Sequence, residues 1–149
     1  SFRVPIGDGD RFLDELGRAR LLREGDAATV VAYGRPVHDA MSAAATLAAD
    51  GVEVAVLDLR TLMPLDEQQI IECIERTNRV LIVHEAPLTC GCGSELAAWI
   101  VDRAFEHLDA PVRRLTVPDH PVPFNKALES AHLPDAQSIE SALRDLVSW

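Results

Sequence analysis

The chain contains 149 residues, of which 48% are hydrophobic and 5% aromatic, and its formal net charge is −10. The length fits a single domain with an aliphatic core, and the negative charge argues against nucleic acid or an anionic membrane surface as the main partner. No apolar run reaches the roughly 18 residues that a membrane span requires, and three cysteines do not form a disulfide framework, so we expect a cytoplasmic protein.

Two regions can be distinguished along the chain. Residues 1–27 are predicted to be an N-terminal connecting segment with a short helix around residues 11–22. Residues 28–149 alternate strand-like and helix-like patterns with short links, and they are predicted to form one α/β domain.

The first predicted elements of this domain are a strand, a helix and a second strand. The strand "ATVVAYG" covers residues 28–34, and the helix covers residues 36–50, with Pro36 in its first turn and Gly51 directly after its end. In the second strand, residues 52–59, apolar residues first alternate with Glu and Ala and then run together.

The next helix has the best-supported start in the sequence. Asp66 stands at the position of an N-cap, and Gln69, three residues later, is placed to complete a capping box. The strand after this helix, residues 79–85, has a nearly continuous apolar centre, which indicates burial on both faces in the middle of a parallel sheet.

The last part of the domain contains a helix, a strand, a proline-rich loop and a final helix. The first of these helices carries a wide apolar stripe from Leu96 to Leu108 and is predicted to be largely buried. The strand lies within residues 111–119, the loop covers 118–124, and the final helix covers 136–147. This alternation predicts a three-layer α/β/α sandwich around a mostly parallel sheet.

Polar residues collect where the predicted strands end, which is the edge at which open parallel sheets bind ligands. They are Tyr33, Gly34, Arg35, Asp58, Arg60, His84, Glu85, Asp119 and His120. A small-molecule site at this edge is one interpretation. Capping, interface or loop roles are the other, because strand ends are polar in any α/β domain.

The stretch "LIVHEAPLTCGCGSE", residues 81–95, combines His84 and Glu85 with Cys90 and Cys92. The residue types suit zinc, but Cys-x-Cys is tighter than the usual ligand spacing and a second cysteine pair is missing. The other interpretations are a reactive cysteine near a helix start, an anion held by that helix start, and a tight strand-to-helix crossing that needs glycines. We predict no metal site here.

Four stretches together resemble one family: "REGDAATVVAYGRPVHDA" (23–40), "VLDLRTLMPLD" (56–66), "RVLIVHEAPLTCGCGSELAA" (79–98) and "LDAPVRRLTVPDHPVPFN" (108–125). Their order and spacing are similar to those in the C-terminal domain of the beta subunit of thiamine-diphosphate-dependent 2-oxo acid dehydrogenases. The resemblance implies a fold like the C-terminal domain of transketolase. The chain departs from the family where Cys90 and Cys92 replace a glycine and a bulky residue.

The resemblance implies a non-catalytic assembly domain. In the family, thiamine diphosphate and magnesium are held by the N-terminal domain of the beta subunit and by the alpha subunit. The resemblance therefore implies no catalytic, cofactor-binding or metal-binding residue within 1–149, an N-terminal cofactor-binding domain outside these residues, and an inactive isolated chain. The parent reaction would be oxidative decarboxylation of a 2-oxo acid with acyl transfer to a lipoyl-protein, and "HEAPLT" leans toward a branched-chain substrate.

The resemblance also implies partners: a second beta subunit across a two-fold axis, an alpha subunit, and the small basic subunit-binding domain of the acyltransferase core. Candidate residues at subunit contacts are His84, Glu85, Cys90, Cys92 and Arg60. Candidate acceptors for the subunit-binding domain are Glu106, Asp109 and the terminal carboxylate of Trp149, since carboxylates would pair with its Lys or Arg side chains.

Two alternatives stay open. One is the C-terminal domain of another transketolase-like enzyme, against which "PVPFN" and "LDAPVRR" speak. The other is an independent α/β domain that binds a small anion at the strand ends through Arg60, His84 and the amides of the loop.

Overall fold

The computed structural model describes residues 16–149. Within these residues, one sheet contains the strands β1 (Arg20–Arg23), β2 (Ala28–Ala32), β3 (Val54–Asp58), β4 (Val80–Pro87) and β5 (Arg113–Val117). The helices are α1 (Pro36–Ala49), α2 (Glu67–Thr77), α3 (Cys92–Ala104), α4 (Lys126–His132) and α5 (Ala136–Val147). A short 3-10 helix, Phe105–His107, follows α3 directly.

The sheet has the strand order β1-β3-β2-β4-β5, and every neighbouring pair is parallel except β1 with β3. At its centre lies β2, where Val30 is level with Val56 of β3 and with Leu81 of β4. Every residue of β2 is buried, because a central parallel strand is covered on both faces. The mostly parallel sheet predicted from the sequence is confirmed.

Helices cover both faces of the sheet. On one face α1 and α5 pack together, with Leu47, Leu143 and Leu146 fully buried. On the other face α2 and α3 bury Ile74 and Ile100. The predicted three-layer α/β/α sandwich is confirmed. Among the residues that the structure describes, no helix combines the length and the apolar character needed to cross a bilayer.

The start of α2 is capped as predicted, but Gln69 does not play its predicted part in a capping box. One carboxylate oxygen of Asp66 accepts a hydrogen bond from the backbone N–H of Gln69 at 3.3 Å. The Gln69 side chain turns along the helix and donates to Glu72 and Cys73. The second oxygen of Asp66 accepts from the backbone N–H of Ala19 at 2.9 Å, so this carboxylate joins the start of α2 to the chain before β1.

The N-terminal connecting segment differs from its prediction where it can be seen. The predicted helix around residues 11–22 lies partly outside the described residues, and its last part, residues 20–22, belongs to β1 instead. This strand pairs antiparallel with β3, with Leu21 opposite Leu57. Its pairing partner is distant along the chain, so the local pattern of four residues does not reveal the strand.

The sequence pattern does not predict α4. The proline-rich segment before it, residues 118–124, is loop as predicted. The helix begins after Asn125, whose side chain accepts from the backbone N–H of Ala127 at 2.9 Å. Only His132 of this helix is buried, so α4 lacks the apolar stripe by which a helix is recognised from its sequence.

Candidate functional site

The parallel strands β2 to β5 end at one edge of the sheet, which we call the carboxyl edge. The predicted polar residues follow these strand ends, but they do not form a single cluster. Tyr33 follows β2, and its ring stacks on that of His84 with the centroids 5.8 Å apart. Arg60 follows β3. Because β2 lies between β3 and β4, Arg60 is about 10 Å along the sheet from His84.

His84 lies in β4 and is fully buried. The backbone N–H of Gly93 points to its Nε2 at 3.0 Å, and the backbone N–H of Ala86 points to its Nδ1 at 3.1 Å. A neutral imidazole has one nitrogen that can accept and the protonated ring has none, so each tautomer accepts one of these bonds. Burial, and secondly the positive charge of Arg114, lower the pKa of His84. The ring is therefore a neutral anchor between β4 and α3.

Gly91 and Gly93 are required because the backbone passes very close to this ring and to β4. A Cβ at position 93 would lie 2.2 Å from Nε2 of His84, and one at position 91 would lie 2.3 Å from the carbonyl oxygen of Pro87. The N–H of Gly93, in the first turn of α3, already faces the imidazole, so it is not free for an anion. Among the interpretations of this loop, the structure supports the tight strand-to-helix crossing.

The two cysteines of the loop do not have the environment of a reactive or metal-binding pair. Cys90 is exposed and Cys92 is half-buried. Burial, and then the negative charge of Glu95, raise the pKa of Cys92, which is the opposite of what thiolate chemistry requires. Within residues 16–149, no group of three His, Cys, Asp or Glu side chains is arranged to hold a metal ion.

Two contacts that sequence reasoning missed hold the loop after β4. Arg114 of β5 donates to the carbonyl oxygen of Leu88 at 3.0 Å and to the hydroxyl of Ser94. The carboxylate of Asp119 accepts from the hydroxyl of Thr89 at 2.6 Å and from its backbone N–H at 2.9 Å, and these bonds lower the pKa of Asp119. The partners are 20 to 30 residues apart in the chain, so the sequence carries no local sign of them.

The predicted subunit-contact residues differ in accessibility. Glu85, Cys90 and Arg60 are exposed, Cys92 is half-buried, and His84 is fully buried. Only the exposed side chains are placed to touch a neighbouring subunit directly. His84 would influence such a contact through the loop that it anchors, and the contacts themselves stay a prediction.

The residues predicted to receive the acyltransferase lie at the opposite edge, where β4 and β5 begin. Asp109 precedes β5, and its carboxylate is 4.0 Å from the guanidinium of Arg79. The ring of Trp149 lies 5.8 Å from the guanidinium carbon of Arg113, the first residue of β5. Glu106, Asp109 and Trp149 are all exposed. The structure therefore presents them on one accessible edge.

Cys90 adopts a left-handed backbone conformation with φ of 60°, which favours glycine. The conformation costs a residue with a Cβ about 1 to 2 kcal/mol, and the greater freedom of unfolded glycine offsets part of this. We expect Cys90→Gly to raise the free energy of unfolding by about 1 kcal/mol in urea titrations. Cys90→Ala is the matched control, because it removes the thiol and keeps the Cβ. Equal stability of the two variants would contradict the view that the left-handed backbone at Cys90 destabilises the fold.

Comparison with known proteins agrees with the fold. A family model described as "Transketolase, C-terminal domain" matches residues 17–139. The chain is 42% identical over 138 residues to the beta subunit of acetoin:2,6-dichlorophenolindophenol oxidoreductase from Bacillus subtilis (strain 168), which covers 93% of this chain and 40% of that protein. The chain is also 38% identical to the pyruvate dehydrogenase E1 component subunit beta and 39% identical to the 2-oxoisovalerate dehydrogenase subunit beta, both from that bacterium. These two matches cover all of this chain and 45% and 46% of the relatives.

A solved structure gives the same result at the level of the backbone. The chain matches a split gene transketolase, an inactive beta4 tetramer, with a TM-score of 0.76 and 28% identity, over 89% of this chain and 42% of that chain. The chain spans less than half the length of the relatives named here. The resemblance found in the sequence is confirmed: the chain belongs to the transketolase C-terminal domain family, and its relatives include beta subunits of 2-oxo acid dehydrogenases and of the acetoin enzyme.

Proposed function

We propose that this chain is the C-terminal assembly domain of the beta subunit of a thiamine-diphosphate-dependent 2-oxo acid dehydrogenase, and that it supplies no catalytic group. The observation that carries this proposal is the state of the carboxyl edge. Both ring nitrogens of His84 face backbone N–H groups inside the chain. A general base must reach the proton that it removes from a substrate, and this imidazole is directed inward. His84 is therefore placed to brace the loop and not to act on a substrate.

Two observations on residues 16–149 support a site for thiamine diphosphate and magnesium in other parts of the parent enzyme. No group of three His, Cys, Asp or Glu side chains converges there. A diphosphate at a helix start needs free N–H groups, and that of Gly93 faces His84. We assign cofactor binding to other parts of the parent enzyme, and we expect this chain alone to be inactive.

Large apolar side chains exposed at the carboxyl edge support contacts with other subunits. They are Leu62 and Met63 after β3, Leu88 after β4, and Val122 and Phe124 after β5. Contact with another subunit would remove these apolar side chains from water, which favours association. The relatives are named as beta subunits, and the matching solved structure is a beta4 tetramer. We infer contacts with a second beta subunit and with an alpha subunit.

The substrate class and the location of the protein belong to the same proposal. "HEAPLT" favours a branched-chain 2-oxo acid, while overall identity, at 38% to the pyruvate relative and 39% to the 2-oxoisovalerate relative, does not separate the two. The cysteines are free thiols, as a reducing compartment keeps them, which supports a cytoplasmic location.

The edge at which β4 and β5 begin supports binding of the basic subunit-binding domain of an acyltransferase. The side chains of Glu106 and Asp109 are 84% and 62% exposed, so their charges are available to a partner. We expect Asp109→Asn to weaken binding of the cognate subunit-binding domain about threefold, since an exposed ion pair contributes less than 1 kcal/mol. Calorimetric titration at two salt concentrations measures this, and the difference shrinks at high salt.

Asp102→Asn is the matched control for that titration. The Asp102 side chain lies on α3 and is 78% exposed. Its substitution by asparagine removes the same charge as Asp109→Asn. Equal weakening by the two variants would assign the effect to net charge instead of to Asp109. Absence of binding to the unchanged chain would contradict the proposed role of this edge.

The C-terminal domain of a transketolase is the second candidate. The structural match favours it, because that solved protein is a split gene transketolase. Its identity of 28% is lower than the 38% to 42% of the relatives from oxo acid and acetoin enzymes. Titration with the subunit-binding domain separates the candidates, since only the first is expected to have an acyltransferase partner.

A further inference from the structure

A groove of about 320 Å³ lies between the loop after β3 and the first turns of α3. We call it the acidic-rimmed groove. The residues that define it are Met63, Leu65, Leu96 and Trp99, which are apolar, and Glu67 and Glu95, which are acidic. It lies on the side of β3 and α3, and His84 is not among its lining residues.

The wall formed by α3 is a regular stripe. Cys92, Glu95, Leu96 and Trp99 follow one another at the spacing of one helix face. Leu96 is only 4% exposed and forms the floor, while Trp99 is half-buried and offers part of its ring to the groove. A large aromatic side chain beside a buried leucine gives the apolar area on which a partner side chain gains binding energy.

The opposite wall is a loop held in shape by hydrogen bonds. The hydroxyl of Thr61 donates to the carbonyl oxygen of Pro64 at 3.0 Å, and the same hydroxyl oxygen accepts from the backbone N–H of Gly17 at 3.1 Å. Asp66 fixes the end of the loop through Ala19 and the start of α2. Met63 is 88% exposed on this braced loop. A groove with fixed walls loses little conformational entropy when a partner binds.

The charged side chains of the groove favour a positively charged partner. Glu67 and Glu95 are the charged residues among the described residues that line it, and both are carboxylates. Each stands in the first turn of its helix, α2 or α3. The positive end of the helix dipole at this position attracts negative groups. The two carboxylates already occupy this position, so no external anion is needed there. An acidic partner is repelled, and a cationic one is attracted.

We propose that the acidic-rimmed groove binds a segment of a partner polypeptide in which a large apolar side chain stands next to a lysine or arginine. The apolar side chain lies between Met63 and Trp99, and the cation reaches Glu67 and Glu95. This inference rests on the proposed assembly function and names the chemistry of one partner contact.

The two tryptophans of the chain make a direct test possible. Incorporation of 5-fluorotryptophan gives separate fluorine NMR signals for Trp99, in the groove, and Trp149, at the opposite edge of the sheet. The probes are the amides of N-acetyl-leucyl-arginine, N-acetyl-leucyl-citrulline and N-acetyl-leucyl-glutamate. Citrulline matches arginine in shape and carries no charge. We expect the arginine probe to shift the Trp99 signal, to leave that of Trp149 in place, and to bind more tightly than the other two.

Removal of the two carboxylates tests the role of charge. We expect Glu67→Gln with Glu95→Gln to weaken the arginine probe about three- to tenfold and to leave the citrulline probe nearly unchanged, because exposed ion pairs contribute less than 1 kcal/mol each. The matched control is Glu72→Gln with Asp102→Asn, which removes two exposed charges from the same helices outside the groove. It should leave the binding of both probes unchanged, and circular dichroism verifies that every variant is folded.

Three results would overturn the proposal: an unmoved Trp99 signal, equal binding of the arginine and glutamate probes, or equal weakening by the groove variant and its control. The titration with the acyltransferase domain reports on the opposite edge. If the groove does not bind the arginine probe but the acyltransferase domain binds, only the groove inference is refuted. If the groove binds the probe but the acyltransferase domain does not bind, only the acyltransferase assignment is refuted.

Discussion

Gly93→Ala is expected to lower the free energy of unfolding by about 3 kcal/mol, because it forces a methyl group into a filled space. The new Cβ would lie 2.2 Å from Nε2 and 2.6 Å from Cδ2 of His84, and 3.3 Å from Ile82. The imidazole cannot move aside, since it is fully buried and stacks on Tyr33. Urea denaturation of the purified variant measures the loss.

A double-mutant cycle with His84→Ala assigns this loss to the ring. His84→Ala alone is expected to cost about 3 kcal/mol, through the cavity and the backbone N–H group left without its acceptor. In the double variant the added methyl group enters the space that the ring has left. The loss of stability in the double variant should therefore be about 2 kcal/mol smaller than the sum of the two single losses. Additive costs would contradict the view that Gly93 is required by His84.

Leu143→Ala is expected to destabilise the domain by about 3 kcal/mol, the cost of a fully buried leucine whose site collapses only partly. Leu143 lies in α5 and is fully buried with Ile139 and Leu146 against α1 and the sheet. The family match ends at residue 139, so this variant tests whether the chain beyond that point is part of the core. Thermal and urea denaturation give the measurement.

Leu128→Ala provides the comparison on the neighbouring helix α4. Its side chain is 60% exposed, so the same chemical change should alter stability by about 0.5 kcal/mol or less. A similar loss for both leucines would contradict the placement of α5 in the layer that covers the sheet.

The parts of the fold that were predictable are those whose pattern is local. The bounds of α5 were predicted as 136–147, because Ile139, Leu143 and Leu146 recur at helical spacing. The strand β1 could not be predicted in this way. Its four residues become a strand by pairing with β3, far along the chain. The helix α4 has few buried side chains and depends on its cap at Asn125.

The candidate site was predictable in composition and much less in geometry. The sequence places His84 and two glycines in one loop, and a tight crossing was among its interpretations. It does not say that Gly93 faces the imidazole, because that distance joins a strand to a helix across a turn. Arg114 and Asp119, which brace the loop, come from β5 and the segment after it, and no local pattern links them to it.

We propose that this chain holds subunits together and performs no chemistry alone. The most direct test of this proposal is the release of carbon dioxide from pyruvate and from 2-oxoisovalerate by the purified chain, supplied with thiamine diphosphate, magnesium and an electron acceptor. We expect no release above that of the mixture without protein. Turnover that disappears in a folded His84→Gln variant would contradict the claim, because it would place a catalytic group in the loop that we describe as an anchor.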